Sequence, residues 1–127
     1  MKTQVEIRSI KKGSYIIIDD EPCTVVGVEK SKPGKHGTAK ARMDCIGIFD
    51  GQKRSIVQPV THKAYTPMVE RKLGQVLSVV GDVAQIMDLE NYSTFELSIS
   101  KEAMGKVKEG EELRYIESMG KKKFDIR

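Results

Sequence analysis

The segment from residue 30 to residue 42 concentrates side chains that could contact an anion. It contains one histidine, no carboxylate, and five cations: Lys30, Lys32, Lys35, Lys40 and Arg42. A positive patch of this kind typically meets the phosphates of a nucleic acid, or serves only to keep an exposed turn in solution. The order of residues in the segment favours contact with nucleic-acid phosphates.

The centre of this segment is built to present two side chains. Gly34 and Gly37 flank Lys35 and His36 with residues that have no Cβ, and Pro33 restricts the backbone on one side. Lys35 and His36 are therefore predicted to project with little steric cover. A lysine ammonium on a flexible stem suits phosphate contact and also covalent modification.

The dipeptide Gly34-Lys35 resembles the end of a nucleotide-binding P-loop, but its surroundings argue against that motif. Glu29 stands where the motif requires its first glycine, and His36 stands where it requires serine or threonine. The next residues are predicted to form a strand, whereas the P-loop lysine opens a helix. No nucleophile, acid–base pair or metal-ligand cluster can be assembled elsewhere, so the sequence predicts no enzyme, no metal and no bound cofactor.

The alternation of side chains predicts strands through most of the chain. In the clearest case Ala41, Met43 and Cys45 alternate with Lys40 and Arg42, so the two cations are expected on one surface of the sheet. Apolar runs between turn residues predict strands over these ranges: 14–19, 23–29, 39–49, 54–60, 75–80, 83–88, 94–99, 113–118 and 123–126.

The pattern breaks near residue 70, where the charge balance also changes. Residues 1–70 hold twelve Lys and Arg against eight Asp and Glu, whereas residues 71–127 hold ten of each. Five strands in the second half, with a short helix predicted at residues 100–107 between the third and the fourth, follow the order of an OB-fold. We therefore predict an all-β chain of two small barrels, with domains at 1–70 and 71–127.

Cys23 and Cys45 are predicted to be small core residues, because neither belongs to a CxxC motif. A disulfide between them is geometrically possible on neighbouring strands, but no signal-peptide core or membrane span indicates export to an oxidising compartment. Reduced thiols and a cytoplasmic location are expected.

The string SKPGKHGTAK, residues 31–40, closely resembles the signature of the translation initiation factor 5A family, whose members carry hypusine. The resemblance extends to the Glu21-Pro22-Cys23 and Ile48-Phe49-Asp50-Gly51 segments and to the overall length. Pro33 is typical of the archaeal branch of this family. The resemblance to this family implies an SH3-like N-terminal barrel that carries the basic segment, followed by an OB-fold.

This resemblance also implies a function for individual residues. Lys35 would receive an aminobutyl group from spermidine through deoxyhypusine synthase, and hydroxylation to hypusine commonly follows. The modified lysine would position peptidyl-tRNA on the ribosome and so relieve stalling, for example at runs of proline. We expect a monomer in which Pro33, Gly34, His36 and Gly37 frame Lys35, and in which rRNA or tRNA phosphates contact Lys30, Lys32, Lys40 and Arg42.

The alternative is a general RNA-binding protein of the same SH3-like and OB architecture that acts without any modified lysine. Both hypotheses use the basic segment. They differ in whether Lys35 carries a covalent adduct.

Overall fold

A computed structural model describes residues 2–31 and 39–125 of the chain. The chain divides into two compact units, residues 1–68 and residues 69–127. Both are built almost entirely from strands, which confirms the predicted fold class of two small all-β barrels. Lys32, Pro33, Gly34, Lys35, His36 and Gly37 lie outside the described residues.

The first unit contains two antiparallel sheets. One pairs β1 with β6, and the other has the order β2-β3-β4-β5. The strands are β1 (Lys2–Glu6), β2 (Tyr15–Ile18), β3 (Glu21–Ser31), β4 (Lys40–Gly47), β5 (Lys53–Pro59) and β6 (Lys63–Pro67), and a short 3₁₀ helix covers Ile7–Ser9.

Alternation along β4 builds the core of this unit. Ala41, Met43 and Cys45 are buried completely or almost so, while Lys40 and Arg42 are exposed. The core side chains pack with apolar groups from β2, β3, the 3₁₀ helix and the residue after it, including Ile7, Ile10, Ile16 and Val25. The alternation that the sequence predicts for this strand is confirmed.

The second unit is one five-stranded antiparallel sheet of order β11-β10-β7-β8-β9, and β9 approaches β11 so that the barrel is nearly closed. Its apolar core includes Val76, Ile86, Leu97 and Tyr115. The strands are β7 (Glu70–Val80), β8 (Val83–Asp88), β9 (Thr94–Ser98), β10 (Glu112–Ser118) and β11 (Lys121–Phe124).

Several elements differ from the sequence predictions. The sequence pattern does not predict strands β1 and β6, and β7 begins at Glu70, five residues before the predicted start at residue 75. The helix predicted at residues 100–107 is only a 3₁₀ turn, Lys101–Ala103, and the Ser100 side chain does not cap it. Gly105 follows with φ of +86°, a left-handed conformation that cannot continue a right-handed helix.

Nowhere in the described ranges does a helix have the length and apolar character needed to span a bilayer.

The turn between β4 and β5 is held by an ion pair. The Arg54 guanidinium donates from Nη1 to Asp50 Oδ1 at 3.1 Å and from Nη2 to Asp50 Oδ2 at 2.8 Å. The Gln52 N–H also donates to Asp50 Oδ1, at 3.0 Å. This network fills the space beside Gly47, where an added Cβ would lie 1.9 Å from Asp50 Oδ1 and 2.9 Å from Arg54 Nη1.

We expect Gly47→Ala to destabilise the first unit by about 1–3 kcal/mol, the usual cost of forcing a methyl group into occupied space. The Asp50 carboxylate would have to leave both Arg54 and the Gln52 N–H. Gly27→Ala is the matched control, because a Cβ there meets Asp44 Oδ2 at an ordinary 3.7 Å. Urea unfolding of both variants measures the effect, and equal midpoints would contradict this explanation.

Candidate functional site

Strands β3 and β4 lie on either side of residues 32–39, here called the Lys35 segment. The two strands are paired up to the last residue of β3 and the first residue of β4. Glu29, Lys30 and Ser31 of β3 lie opposite Arg42, Ala41 and Lys40 of β4. Ser31 Oγ donates to the Lys40 carbonyl oxygen at 3.3 Å. Directly opposed residues of antiparallel strands have Cα atoms about 5 Å apart. The two strands therefore bring the chain into and out of residues 32–38 at a single position of the sheet.

Lys40 and Arg42 lie on the outer face of this sheet, as the sequence predicts. The cross-strand register places Ser31 and Glu29 beside them on β3, and Val57 beside Arg42 on β5. The Val57 side chain is 57% exposed. This face therefore combines two cations, a carboxylate and an exposed apolar side chain. Together with Ser31 and Lys30, these residues line a depression of about 240 Å³.

Arg42 already has a carboxylate partner on this face. Its Nε lies 3.3 Å from Asp44 Oδ1, and Ser55 Oγ donates to the same oxygen at 2.6 Å. The Ser55 hydrogen bond, and after it the Arg42 guanidinium, lower the pKa of the Asp44 carboxyl. Because Asp44 is held ionised, it offsets part of the Arg42 charge, and Lys40 is the less encumbered cation of the two.

Although Lys30 borders this depression, its side chain lies on the opposite face of the sheet from Lys40 and Arg42. Its cross-strand partner is Ala41, whose side chain is fully buried, so Lys30 leaves the sheet on the side of the core at its edge. Its Nζ donates to the carbonyl oxygen of Arg8 at 3.2 Å. The basic segment that is continuous in sequence is thus divided between two faces of the sheet. The roles of Lys30, Lys40 and Arg42 in RNA binding stay predictions, as do those of Lys32 and of Lys35 with its framing residues.

The described residues also bear on the enzymatic alternatives. The chain that follows Lys35 enters strand β4, whereas a P-loop lysine would be followed by a helix. Among residues 2–31 and 39–125, no cluster of His, Cys, Asp and Glu could hold a metal ion.

Cys23 and Cys45 are free and buried, and burial raises the pKa of the Cys45 thiol to about 11. Both are core residues, as predicted, and neither has the low thiol pKa of a nucleophile.

Comparison with known proteins gives matches across both units. Residues 2–62 match the family model of the translation initiation factor 5A-like N-terminal domain. Residues 68–125 match the model described as eukaryotic elongation factor 5A hypusine, DNA-binding OB fold.

Full-length relatives agree with these models. Translation initiation factor 5A of Methanocella arvoryzae is 60% identical over 127 residues, which is 100% of this chain and 99% of the relative. The Archaeoglobus fulgidus protein of the same name is 59% identical, with 98% of each chain covered.

Solved structures show the same relationship. A structure described as eukaryotic translation initiation factor 5A from Methanococcus jannaschii has a TM-score of 0.88 and 46% identity, covering 97% of this chain and 92% of that chain. A family member from Naegleria fowleri has a TM-score of 0.78 and 32% identity, covering 98% and 96%. With both domain models matched and relatives near 60% identity over the whole length, this chain belongs to the translation initiation factor 5A family.

Proposed function

We propose that this protein binds the ribosome and uses a (deoxy)hypusine side chain on Lys35 to position peptidyl-tRNA, thereby promoting peptide-bond formation at stalled sequences such as runs of proline. The match of residues 68–125 to the hypusine family model is the observation that carries the proposal. In support of the proposal, the signature SKPGKHGTAK runs from Ser31, the last residue of β3, to Lys40, the first residue of β4, and these two residues are paired. The factor would act in the cytoplasm as a monomer, with an SH3-like domain at 1–70 and an OB-fold at 71–127.

The chemistry of the adduct explains why a lysine is required. When deoxyhypusine synthase transfers an aminobutyl group from spermidine to Lys35 Nζ, the bond between that group and the secondary nitrogen of spermidine breaks, and 1,3-diaminopropane leaves with the proton displaced from the lysine amine. Lys35 Nζ becomes a secondary amine, and a primary amine ends the longer chain. Both amines are protonated near neutral pH, so the side chain carries two positive charges along an extended stem. Such a side chain can bridge phosphates and sugars of a tRNA acceptor end, with Pro33, Gly34, His36 and Gly37 presenting it.

The modified lysine is expected to act by orientation. A peptidyl-tRNA whose reactive end is held in the correct geometry reacts faster, because less freedom is lost on reaching the transition state. Lys32, Lys40 and Arg42 would add backbone phosphate contacts, which fix the register of a protein on RNA without reading its sequence.

Mass spectrometry of protein purified from its native cells tests the proposal. We expect an intact mass heavier than the sequence mass by one aminobutyl group, or by that group and one oxygen, with the adduct mapped to Lys35. The same chain produced in cells without a deoxyhypusine synthase is the control and should have the unmodified mass. Native protein that carries no adduct would instead favour the general RNA-binding protein.

A further inference from the structure

A second groove on the first unit is lined by positive and apolar side chains, and no carboxylate lines it among the described residues. Its volume is about 670 Å³. The lining cations are Lys11, Lys12 and Lys30, and the apolar side chains are Ile10, Val26 and Val28. It therefore differs from the outer face of the β3–β4 sheet, where Glu29 and Asp44 accompany the cations.

A β-bulge on β3 shapes one wall of the groove. The register of β3 against β4 shifts between Val25 and Gly27, so Val26 has no direct partner on β4. Its side chain is 41% exposed, whereas Val25 is fully buried. The extra residue turns an apolar side chain outward, where it can support the aliphatic stems of neighbouring lysines.

The turn that carries Lys11 and Lys12 is fixed to β3 by backbone hydrogen bonds. The Gly13 N–H donates to the Val25 carbonyl oxygen at 2.8 Å, and the Val25 N–H donates to the Ser14 carbonyl oxygen at 2.8 Å. Gly13 has φ of +94°, which glycine adopts without a steric penalty. The backbone that presents the two lysines is therefore held in place before any ligand arrives.

Lys11 and Lys12 have no competing partner in the described ranges. Both side chains are exposed, and neither forms a salt bridge to residues 2–31 or 39–125, unlike Arg42 with Asp44. Lys30 uses one of its three ammonium hydrogens on the Arg8 carbonyl oxygen, which leaves two for a ligand. Lys30 also lines the depression that contains Lys40, so it connects the two surfaces.

We propose that Lys11, Lys12 and Lys30 form a binding site for the backbone phosphates of RNA, in addition to the Lys35 segment. This inference rests on the proposed function, since ribosomal RNA is the ligand in question. Lysine is depleted at protein–protein interfaces, whereas lysines without bound carboxylates release counterions when they meet phosphates. The chemistry of the groove therefore fits a polyanionic backbone better than a protein surface of mixed polarity.

The test compares two double variants with the same loss of charge. Lys11→Ala with Lys12→Ala removes two cations of the groove, and Lys53→Ala with Lys63→Ala removes two exposed lysines of the same unit outside it. Binding to ribosomes and to single-stranded oligouridylate is measured over a salt series, with the mass of Lys35 checked in every preparation. Thermal melting should show that both double variants remain folded.

For oligouridylate we expect the groove variant to reduce the slope of log K against log salt by about 1.4, because each phosphate contact contributes about 0.7. The control variant should retain the wild-type slope. Equal slopes for the two variants would overturn the inference while leaving the proposed function intact. Loss of binding to an acidic peptide, with RNA binding retained, would also overturn it by assigning the groove to a protein partner. If wild-type protein with modified Lys35 fails to bind ribosomes, the proposed function falls and this site falls with it.

Discussion

Replacing Lys35 with arginine is expected to abolish stimulation of peptide-bond formation across a run of prolines. Arginine keeps one positive charge, but its guanidinium stays protonated and cannot accept an aminobutyl group as a lysine amine does. The second charge and the longer reach of the modified side chain are therefore both lost. A reconstituted translation reaction with a proline-run reporter should fall to the level measured without the factor.

Lys32→Arg is the matched control, because Lys32 lies in the same segment and the substitution preserves charge in the same way. We expect this variant to carry the Lys35 adduct and to stimulate translation as the wild type does. A reporter without consecutive prolines should respond little to any of the three proteins. Full stimulation by the Lys35→Arg variant would remove Lys35 from its assigned role, even if native protein proved to be modified there.

The strands that could be predicted are those whose own side chains define a buried face. Along β4, the alternation of Ala41, Met43 and Cys45 with charged residues identifies both the strand and its exposed surface. The boundaries of β8 at residues 83–88 agree with the prediction for the same reason, since Ala84 and Ile86 are buried while Gln85 is exposed. In such strands, local sequence contains most of the structural information.

Other strands depend on partners far along the chain. Strand β1 pairs with β6 about sixty residues later, and of its five residues only Val5 is even partly buried. The start of β7 is similar, because the partly buried Lys72 lies opposite Tyr115 of β10 and its Nζ donates to Glu117 Oε1 of the same strand at 2.9 Å. A lysine within a strand does not add to the apolar pattern that identifies strands. Its carboxylate partner, 45 residues later in the chain, cannot be found from sequence spacing alone.

The candidate site shows the same division. The sequence identifies Lys40 and Arg42 as neighbours on one surface, and the structure agrees. The sequence does not show the bulge at Val26, which reverses the side of the sheet on which the following β3 side chains lie. Because of this bulge, Lys30 lies on the opposite side from Arg42. Lys11 and Lys12 carry no sequence signal either, because a pair of lysines before Gly13 is an ordinary turn. Their relation to Lys30 exists only after β3 has folded back against that turn.

Asp88 illustrates how a buried charge supports the second unit. Its side chain is 1% exposed, and Oδ2 accepts a hydrogen bond from the hydroxyl of Tyr115 in the core. Oδ1 accepts from the N–H groups of Glu90 at 2.8 Å and of Asn91 at 2.9 Å. One carboxylate thus connects the end of β8, the turn that follows it and the centre of β10. The Tyr115 hydrogen bond, followed by these two N–H groups, lowers the pKa of the Asp88 carboxyl.

Asp88→Ala is expected to destabilise the second unit by about 2–4 kcal/mol, because a buried hydroxyl and two N–H groups would lose a charged acceptor. Urea unfolding, together with hydrogen exchange of amides in β8 and β10, measures the change. Glu96→Ala, which removes an exposed carboxylate of β9, is the control and should change stability by no more than about 0.5 kcal/mol. Similar losses in the two variants would contradict the role given to Asp88.

The dependence on pH provides a second test of the same network. Because the pKa of Asp88 is lower in the folded protein than in the unfolded chain, ionisation of Asp88 stabilises the fold fully only above the ordinary carboxyl pKa near 4. That contribution is lost progressively as the pH falls through the lowered pKa. The difference in unfolding free energy between wild type and Asp88→Ala should therefore be largest near neutral pH and shrink on acidification. If the difference instead stays constant from neutral pH to well below the lowered pKa, Asp88 contributes through the shape of its side chain, and its charge contributes nothing.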